Sequence, residues 1–201
     1  MDLGLKSKNA IIFGASSGLG RAVANSLAAE GCNITLIARD SGKLKIASEQ
    51  ILKVHKVSLD YFVADLTKDR DVSSLLADIN NRKYDILINN TGGPPTSSPT
   101  NIDYNILDNF IKSIVLNTIK ITNSLIPNMI EKNWGRVITI TSSGVVQPID
   151  NLSASNILRP AITGFMKTLS NQIAVHGITV NTVMPGRITT ERTLEVNTQR
   201  A

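Results

Sequence analysis

The sequence predicts an α/β fold, a doubly wound parallel sheet with helices on both faces. Three observations carry that expectation. β-rich apolar runs alternate with amphipathic helical stretches along the 201 residues, the pattern of successive βαβ units. One run, Asp85-Ile86-Leu87-Ile88-Asn89, is too apolar for an exposed position and is expected at the centre of the sheet. The first run, Ala10 to Phe13, ends in a glycine turn, Gly14-Ala15-Ser16-Ser17-Gly18-Leu19-Gly20, that opens directly into a helix.

That helix is expected from Leu19 to about Glu30. Asn33 to Ala38 is the second strand, closed by Arg39-Asp40. Ser41-Gly42 then opens a helix with apolar positions Leu44, Ala47, Ile51 and Val54. Val57 to Ala64 is the third strand, and the helix after it carries Val72, Leu75, Leu76 and Ile79 on one face. After the fourth strand, Thr91 to Pro99 is a Gly- and Pro-rich loop at the carboxyl end, where ligands of such sheets bind. A long helix is expected from about Tyr104 to Lys132, bent near Pro127. Val137 to Ile140 is the fifth strand, Asn156 to His176 a second apolar helix, and Ile178 to Val183 the sixth strand. Met184-Pro185-Gly186 turns the chain away, and the segment from Arg187 to Ala201 reads as polar and half-ordered.

Both apolar helices are hydrophobic around more than one face. Phe110, Ile111, Ile114, Val115, Leu116, Ile119 and Ile121 show this in the first. Ile157, Leu158, Ala161, Ile162, Phe165, Met166 and Leu169 show it in the second. Burial under other chain explains that pattern, and so does a subunit interface.

A content of 42% hydrophobic and 18% charged residues suits one globular domain, residues 1–201. The net charge of +5 comes from scattered lysines and arginines without interleaved aromatics, which argues against nucleic acid and suits an anionic ligand. Cys32 is the sole cysteine, so there is no internal disulfide and a reducing cytoplasmic setting is expected. No apolar run reaches ~18 residues and no signal-type leader is visible, so no membrane partner is expected. No His/Cys/acid cluster has metal-ligand spacing, and no metal is expected.

The G-x-x-x-G-x-G turn lets a bulky anion approach the backbone, and the following helix aims free N–H groups and its positive dipole end there. It reads as a pyrophosphate cradle, the alternative being a tight βα turn without a ligand. The same residues satisfy the G-x-S-x-G nucleophile elbow of serine hydrolases. That elbow normally follows several strands rather than the first; the histidines available to it are His55 and His176, and His176, before Gly177 near a helix end, reads as a dipole-favoured C-terminal histidine.

Four segments in order resemble the short-chain dehydrogenase/reductase family: Gly14 to Gly20, Asn89-Asn90-Thr91-Gly92, Gly135-Arg136-Val137-Ile138 with Thr141-Ser142-Ser143, and Val180 to Gly186. The resemblance covers essentially the whole chain and is nearest to the β-ketoacyl-carrier-protein reductase-like members. It implies a Rossmann-like doubly wound parallel sheet of strand order 3-2-1-4-5-6, with the family's C-terminal lid and last strand missing from this chain. It also implies NAD(P) across the carboxyl ends of the strands, a homodimer or homotetramer, and a small-molecule carbonyl or alcohol substrate such as a 3-oxoacyl compound. Carried over by position, Gly14, Ser16, Ser17, Gly18 and Leu19 line the pyrophosphate. Asp65 and Leu66 flank the adenine, while Asn89, Thr91 and Gly92 sit beside the ribose and support the central strand. Pro185, Gly186, Ile188 and Thr190 hold the nicotinamide end.

Arg39 falls where the family selects its cofactor. An acid there accepts from the ribose hydroxyls of NAD, whereas an arginine pairs with the 2′-phosphate of NADP. The expectation is NADP rather than NAD, against the alternative of a solvated arginine. The family's active-site serine falls on Ser142, its tyrosine on Ser155 and its lysine on Arg159; its helix asparagine falls on Ile114, with Asn117 one turn further on. A serine hydroxyl is a far weaker acid than a phenol at ~10, and arginine stays protonated above ~12. Arg159 keeps fixed positive charge for a ribose or an oxyanion, and its neighbour Pro160 suggests a helix start there. Ser142, Ser155 and Arg159 are therefore the candidate catalytic set, and Ser155 also reads as a helix N-cap. Two functional classes follow: an NADP(H)-dependent oxidoreductase with a rearranged proton relay, and a dinucleotide-binding sensor or partner subunit without turnover.

Overall fold

In the computed structural model, which describes residues 1–190 and 193–194, the first strand is the keel of the sheet. β1 (Asn9–Phe13) pairs in parallel with β2 (Asn33–Ala38) on one side and with β4 (Ile86–Asn89) on the other. Outward lie β3 (Leu59–Val63), β5 (Gly135–Ile140) and β6 (Ile178–Val183), all parallel, in the order β3-β2-β1-β4-β5-β6. This is the expected order, with the reversal point between β1 and β4. The continuous hydrophobicity of β1 and β4 is explained by coverage on both faces.

The two-residue period of the strands divides the core. Ala10, Ile12, Leu36, Ile86 and Ile88 face one side. There they meet α1 (Gly18–Ala29) through Ala24 and Ala28, and α2 (Ser41–Val54) through Leu44, Ala47 and Ile51. Ile11, Phe13, Ile37, Leu87 and Val137 face the other side. Leu75 and Ile79 of α3 (Asp69–Asn80) pack there, with the long helices that follow β4 and β5. Asp40 N-caps α2 by accepting from Lys43 N at 2.9 Å, which explains its start at Ser41. Val54, expected on the apolar face, is exposed at the last residue of α2.

The expected helix from Tyr104 to Lys132 is irregular, though not at Pro127. It comprises α4 (Tyr104–Phe110), a π-helical segment (Ile111–Leu116) and α5 (Asn117–Glu131), which runs through Pro127. The wider π turn rotates Asn117 inward, where it is buried and donates to Leu66 O at 2.7 Å. Of the apolar residues on this stretch, Ile114 and Ile121 are core, and Leu116 is exposed. Ile114 is sealed within its own chain and is no interface residue.

α6 (Ser153–Ile173) begins three residues earlier than the expected Asn156. The start is fixed by the β4 loop: Ser97 pairs with Leu152 as an isolated bridge, and Ser153 Oγ donates to Ser97 O at 2.8 Å. Ser155 is consequently inside the first turn and not the N-cap, a position taken by Leu152, and Pro160 lies in the helix interior rather than at its start. In α6, Leu158, Ile162, Met166 and Leu169 are buried and Ile157 and Ala161 exposed. Of the expected polar tail, residues 191–192 and those from 195 onward lie outside the described residues. No described helix is long and apolar enough to cross a membrane.

Candidate functional site

The loops at the carboxyl ends of β1, β4, β5 and β6 converge on one edge of the sheet, and the β1 turn is the tightest part of it. Gly14 has φ of +59°, and a Cβ there would lie 2.3 Å from Asn90 O. A Cβ on Gly20 would lie 2.3 Å from Gly14 O. The turn and the β4 loop thus touch backbone to backbone, a fit open only to glycine. Asn90 Nδ2 donates to Gly14 O at 3.3 Å and pins the contact. Asn90 had no role assigned from sequence, although its pairing with Asn89 in the Asn-Asn-Thr-Gly segment was the available signal.

Gly18, at φ of +53°, begins α1, and no side chain caps that helix. Its first turn therefore has no side-chain partner for its N–H groups among the described residues, as an anion site requires. Thr190 lies across from it, its Cγ2 3.7 Å from where a Gly18 Cβ would be, so the residues expected at the pyrophosphate and at the nicotinamide end face one another. Arg39 follows β2 directly and is exposed. Asp65 follows β3 and is tied locally: its Oδ1 accepts from Thr67 N at 2.9 Å and Thr67 Oγ1 at 2.8 Å. Leu66 packs partly on the core. Asn89 is buried and donates to Thr122 Oγ1 at 3.2 Å and Thr139 Oγ1 at 3.3 Å. It braces β4 against α5 and β5 and is sealed from a ribose, whereas Thr91 and Gly92 in the loop beyond are partly exposed or exposed.

Ser142, two residues beyond β5, has extended backbone and caps a short 3-10 turn, its Oγ accepting from Gly144 N at 3.0 Å. Accepting that bond leaves the hydroxyl proton to be donated elsewhere. The next residue, Ser143, donates its N–H to Pro185 O at 3.2 Å, which holds the β6 exit against the serine loop. Gly186 and Ile188 continue that exit and are exposed.

Arg159, in the second turn of α6, is 7% exposed. Its Nη2 donates to Thr91 O at 3.0 Å and Gly92 O at 3.4 Å; its Nη1 donates to Thr91 Oγ1 at 3.2 Å and Ile140 O at 3.4 Å. The guanidinium binds the ends of β4 and β5 together. Ser155 is half-buried one turn earlier, with no side-chain hydrogen bond to another described residue. None of the three tyrosines stands on α6 or on the serine loop. The three tyrosines are on β3 (Tyr61), buried against Thr35 (Tyr84) and at the start of α4 (Tyr104). Asn156, also unassigned from sequence, clamps the loop before α6: it donates to Ile149 O at 2.8 Å and accepts from Ile149 N at 3.2 Å.

Among the described residues neither histidine bonds to Ser16. His55 bonds to Asn25 Oδ1 at 3.2 Å, and His176 ends the last helical turn before Gly177, whose φ is +67°. Among the described residues no group of three His, Cys, Asp or Glu side chains is arranged to hold a metal.

Comparison with known proteins agrees with this geometry. The chain is 30% identical over 184 residues to hydroxysteroid dehydrogenase-like protein 1 of Gallus gallus, covering 90% of this chain and 56% of that protein. It is 28% identical over 191 residues to inactive hydroxysteroid dehydrogenase-like protein 1 of Homo sapiens, covering 94% and 58%. This chain therefore spans little more than half the length of those relatives. Among solved structures it superposes with a TM-score of 0.90 and 28% identity on L-sorbose reductase from Gluconobacter frateurii complexed with NADPH and L-sorbose, covering 95% of this chain and 73% of that one. The profile of the short chain dehydrogenase family matches residues 8–201, and the chain belongs to that family.

Proposed function

We propose that this protein is an NADP(H)-dependent oxidoreductase that interconverts a small carbonyl compound and its alcohol. The observation that carries the reading is the β1 turn: Gly14 and Gly20 leave no room for a Cβ, and the uncapped α1 N-terminus stands beside it. Such a cradle fits a pyrophosphate, and Arg39, exposed after β2, suits the 2′-phosphate of NADP. Ser16, Ser17, Gly18 and Leu19 would hold the pyrophosphate, Asp65 and Leu66 the adenine, Thr91 and Gly92 the ribose, and Pro185, Gly186, Ile188 and Thr190 the nicotinamide end. When bound, the reduced cofactor supplies a hydride to a carbonyl carbon.

In this reading Ser142 donates its free hydroxyl proton in a hydrogen bond to the substrate oxygen. The proton that completes the alcohol comes through Ser155, or a water it holds. Arg159 contributes fixed positive charge under the β4 loop. The departures from the family, Ser155 and Arg159 in place of tyrosine and lysine, make this a 3-oxoacyl-reductase-like frame with an altered relay. The protein works in the cytoplasm as a homodimer or homotetramer, joined through the exposed apolar residues of the α4–α5 and α6 helices, without nucleic acid, membrane or metal.

One observation favours a second reading, dinucleotide binding without turnover in a sensor or partner subunit. Four hydrogen bonds of Arg159 go to Thr91, Gly92 and Ile140, as expected of a residue that holds the loop. Titrating NADPH against the protein and following its absorbance with a panel of ketones separates the two. Oxidation with at least one ketone is expected; tight binding without oxidation across the panel would establish the second reading.

A further inference from the structure

Between Ser143, the loop that follows it and Arg187 the chain forms a cleft of about 530 Å³. Five polar residues, Ser143, Gln147, Asp150, Asn151 and Arg187, line it together with Pro148 and Ile149, so polar and apolar surface share it about equally. Both walls are fixed. The Ser143 N–H···O Pro185 bond of 3.2 Å ties the serine loop to the segment that leads into Arg187. The bidentate Asn156–Ile149 pair, at 2.8 and 3.2 Å, anchors the loop carrying Gln147 to Asn151. Arg187 is exposed and makes no hydrogen bond or ion pair with any described residue.

We propose that this cleft takes a short carbonyl compound bearing one carboxylate, a keto acid or the hydroxy acid formed on its reduction, with Arg187 as the anchor. The proposal rests on the oxidoreductase reading and names its substrate class. A guanidinium fork matches a carboxylate with two parallel hydrogen bonds. Phosphate would fit that fork too, but Asp150 lines the same cleft and disfavours a second negative charge. Gln147 and Asn151 offer amide donors and acceptors suited to hydroxyl groups along a short chain. A long acyl chain finds only Pro148 and Ile149 to bury against, so the cleft argues against the 3-oxoacyl substrate that the resemblance implies. In the reduction, the keto carbon gains a hydride from the reduced nicotinamide dinucleotide, which is thereby oxidised, and the keto oxygen gains a proton. The carboxylate is unchanged and serves only as a handle.

The test measures kcat/KM with NADPH for keto acids of three to six carbons and for their methyl esters, in the natural protein, Arg187→Ala and Arg187→Lys. Arg187 is exposed, so these variants should fold. The acids are expected to exceed their esters by tenfold or more. Arg187→Ala should cut the acids ten- to a hundredfold and leave the esters within about twofold, as expected for loss of one charge-assisted contact; Arg187→Lys should recover part of the loss. Equal turnover of acids and esters, or equal losses for both, overturns the proposal. If no compound turns over, the oxidoreductase reading fails by itself, and calorimetry of the matching hydroxy acids on NADP-loaded protein decides the cleft. Binding that Arg187→Ala abolishes sustains the site, and absence of binding overturns it.

Discussion

The guanidinium of Arg159 holds Thr91 twice, at 3.0 Å through the backbone carbonyl and at 3.2 Å through the side-chain hydroxyl. A helix after the fifth strand thereby fixes the loop after the fourth, across the mouth of the site. A buried cation with directed hydrogen bonds is costly to remove, because the acceptors it leaves are partly shielded from water. Arg159→Ala should lower unfolding stability by about 2–4 kcal/mol and weaken NADPH binding, as read from urea transitions with and without cofactor. Thr91→Val should reproduce only a small part of the loss, since the backbone bond survives. A stability change under about 0.5 kcal/mol, the range of an ordinary surface substitution, would show that the observed bonds do not bind the loop.

Cofactor choice rests on Arg39. A charge-assisted contact to phosphate contributes ~1.5–3 kcal/mol, so Arg39→Ala should weaken NADPH by roughly ten- to a hundredfold and leave NADH little changed. Fluorescence titration of both cofactors checks this, and equal losses for the two would remove Arg39 from the site.

The glycines give a graded test of the β1 turn. Gly14→Ala places a methyl 2.3 Å from Asn90 O at a φ of +59°, and Gly20→Ala meets Gly14 O at the same distance. Each should cost about 2 kcal/mol or more and abolish measurable NADPH binding. Gly164 lies within α6 with no atom within 4 Å of its virtual Cβ. Gly164→Ala should therefore stabilise the fold by about 0.5–1 kcal/mol with cofactor binding unchanged.

Much of this architecture is legible in the residues. The bounds of β2 and β6 follow from β-rich runs, and the start of α2 from Ser41-Gly42 before an apolar helical period; that Asp40 caps it is visible only in the structure. The order of the sheet follows from the family resemblance. What escapes sequence reading is what depends on contacts distant in the chain. The π turn at Ile111–Leu116 answers to the Asn117–Leu66 bond across 51 residues, whereas Pro127 is the locally visible breaker. The start of α6 is set by Ser97, 56 residues before Ser153. Asn89 looks like a ligand residue by position and is a brace, because its partners Thr122 and Thr139 lie on other elements.

Two buried acids make the fold sensitive to alkali. Burial, then the charges of Glu30 and Asp85, push the Cys32 thiol up from its ordinary 9.0. Burial pushes the Tyr84 phenol up from 10.0 against its bond to Thr35. Both groups are held neutral in the folded chain and ionise more readily in the unfolded one. Stability is therefore intact below about pH 9 and falls as pH rises through the unfolded values toward the raised folded ones. Urea midpoints at intervals from pH 7 to 10.5 should decline only above that point. Cys32→Ala, which removes the first of the two ionisations, should delay the decline; a flat profile would count against both assignments.

The decisive chemical question is whether the site lost its relay or rebuilt it. If Ser142, Ser155 and Arg159 carry a working relay, Ser142→Ala and Arg159→Ala should each lower turnover by a factor of about 10²–10³, the loss expected for one electrostatic stabiliser. Ser155→Tyr combined with Arg159→Lys tests the opposite case by restoring a phenol beside an ammonium. A lysine has one nitrogen and cannot reproduce bonds from two guanidinium nitrogens to Thr91, Gly92 and Ile140, so the double variant should be less stable than the natural protein. Ser155 is half-buried within the first turn of α6, and a phenol there must find space toward the serine loop or overpack it. The expected outcome is a stability loss of about 1–3 kcal/mol together with a rise in ketone reduction, since a phenol is the stronger proton donor. Gain of activity in the double variant, with none in the natural protein, would establish that only the relay had been lost and the rest of the site retained. Activity in the natural protein that falls on restoring the pair would instead show that Ser155 and Arg159 had become the relay.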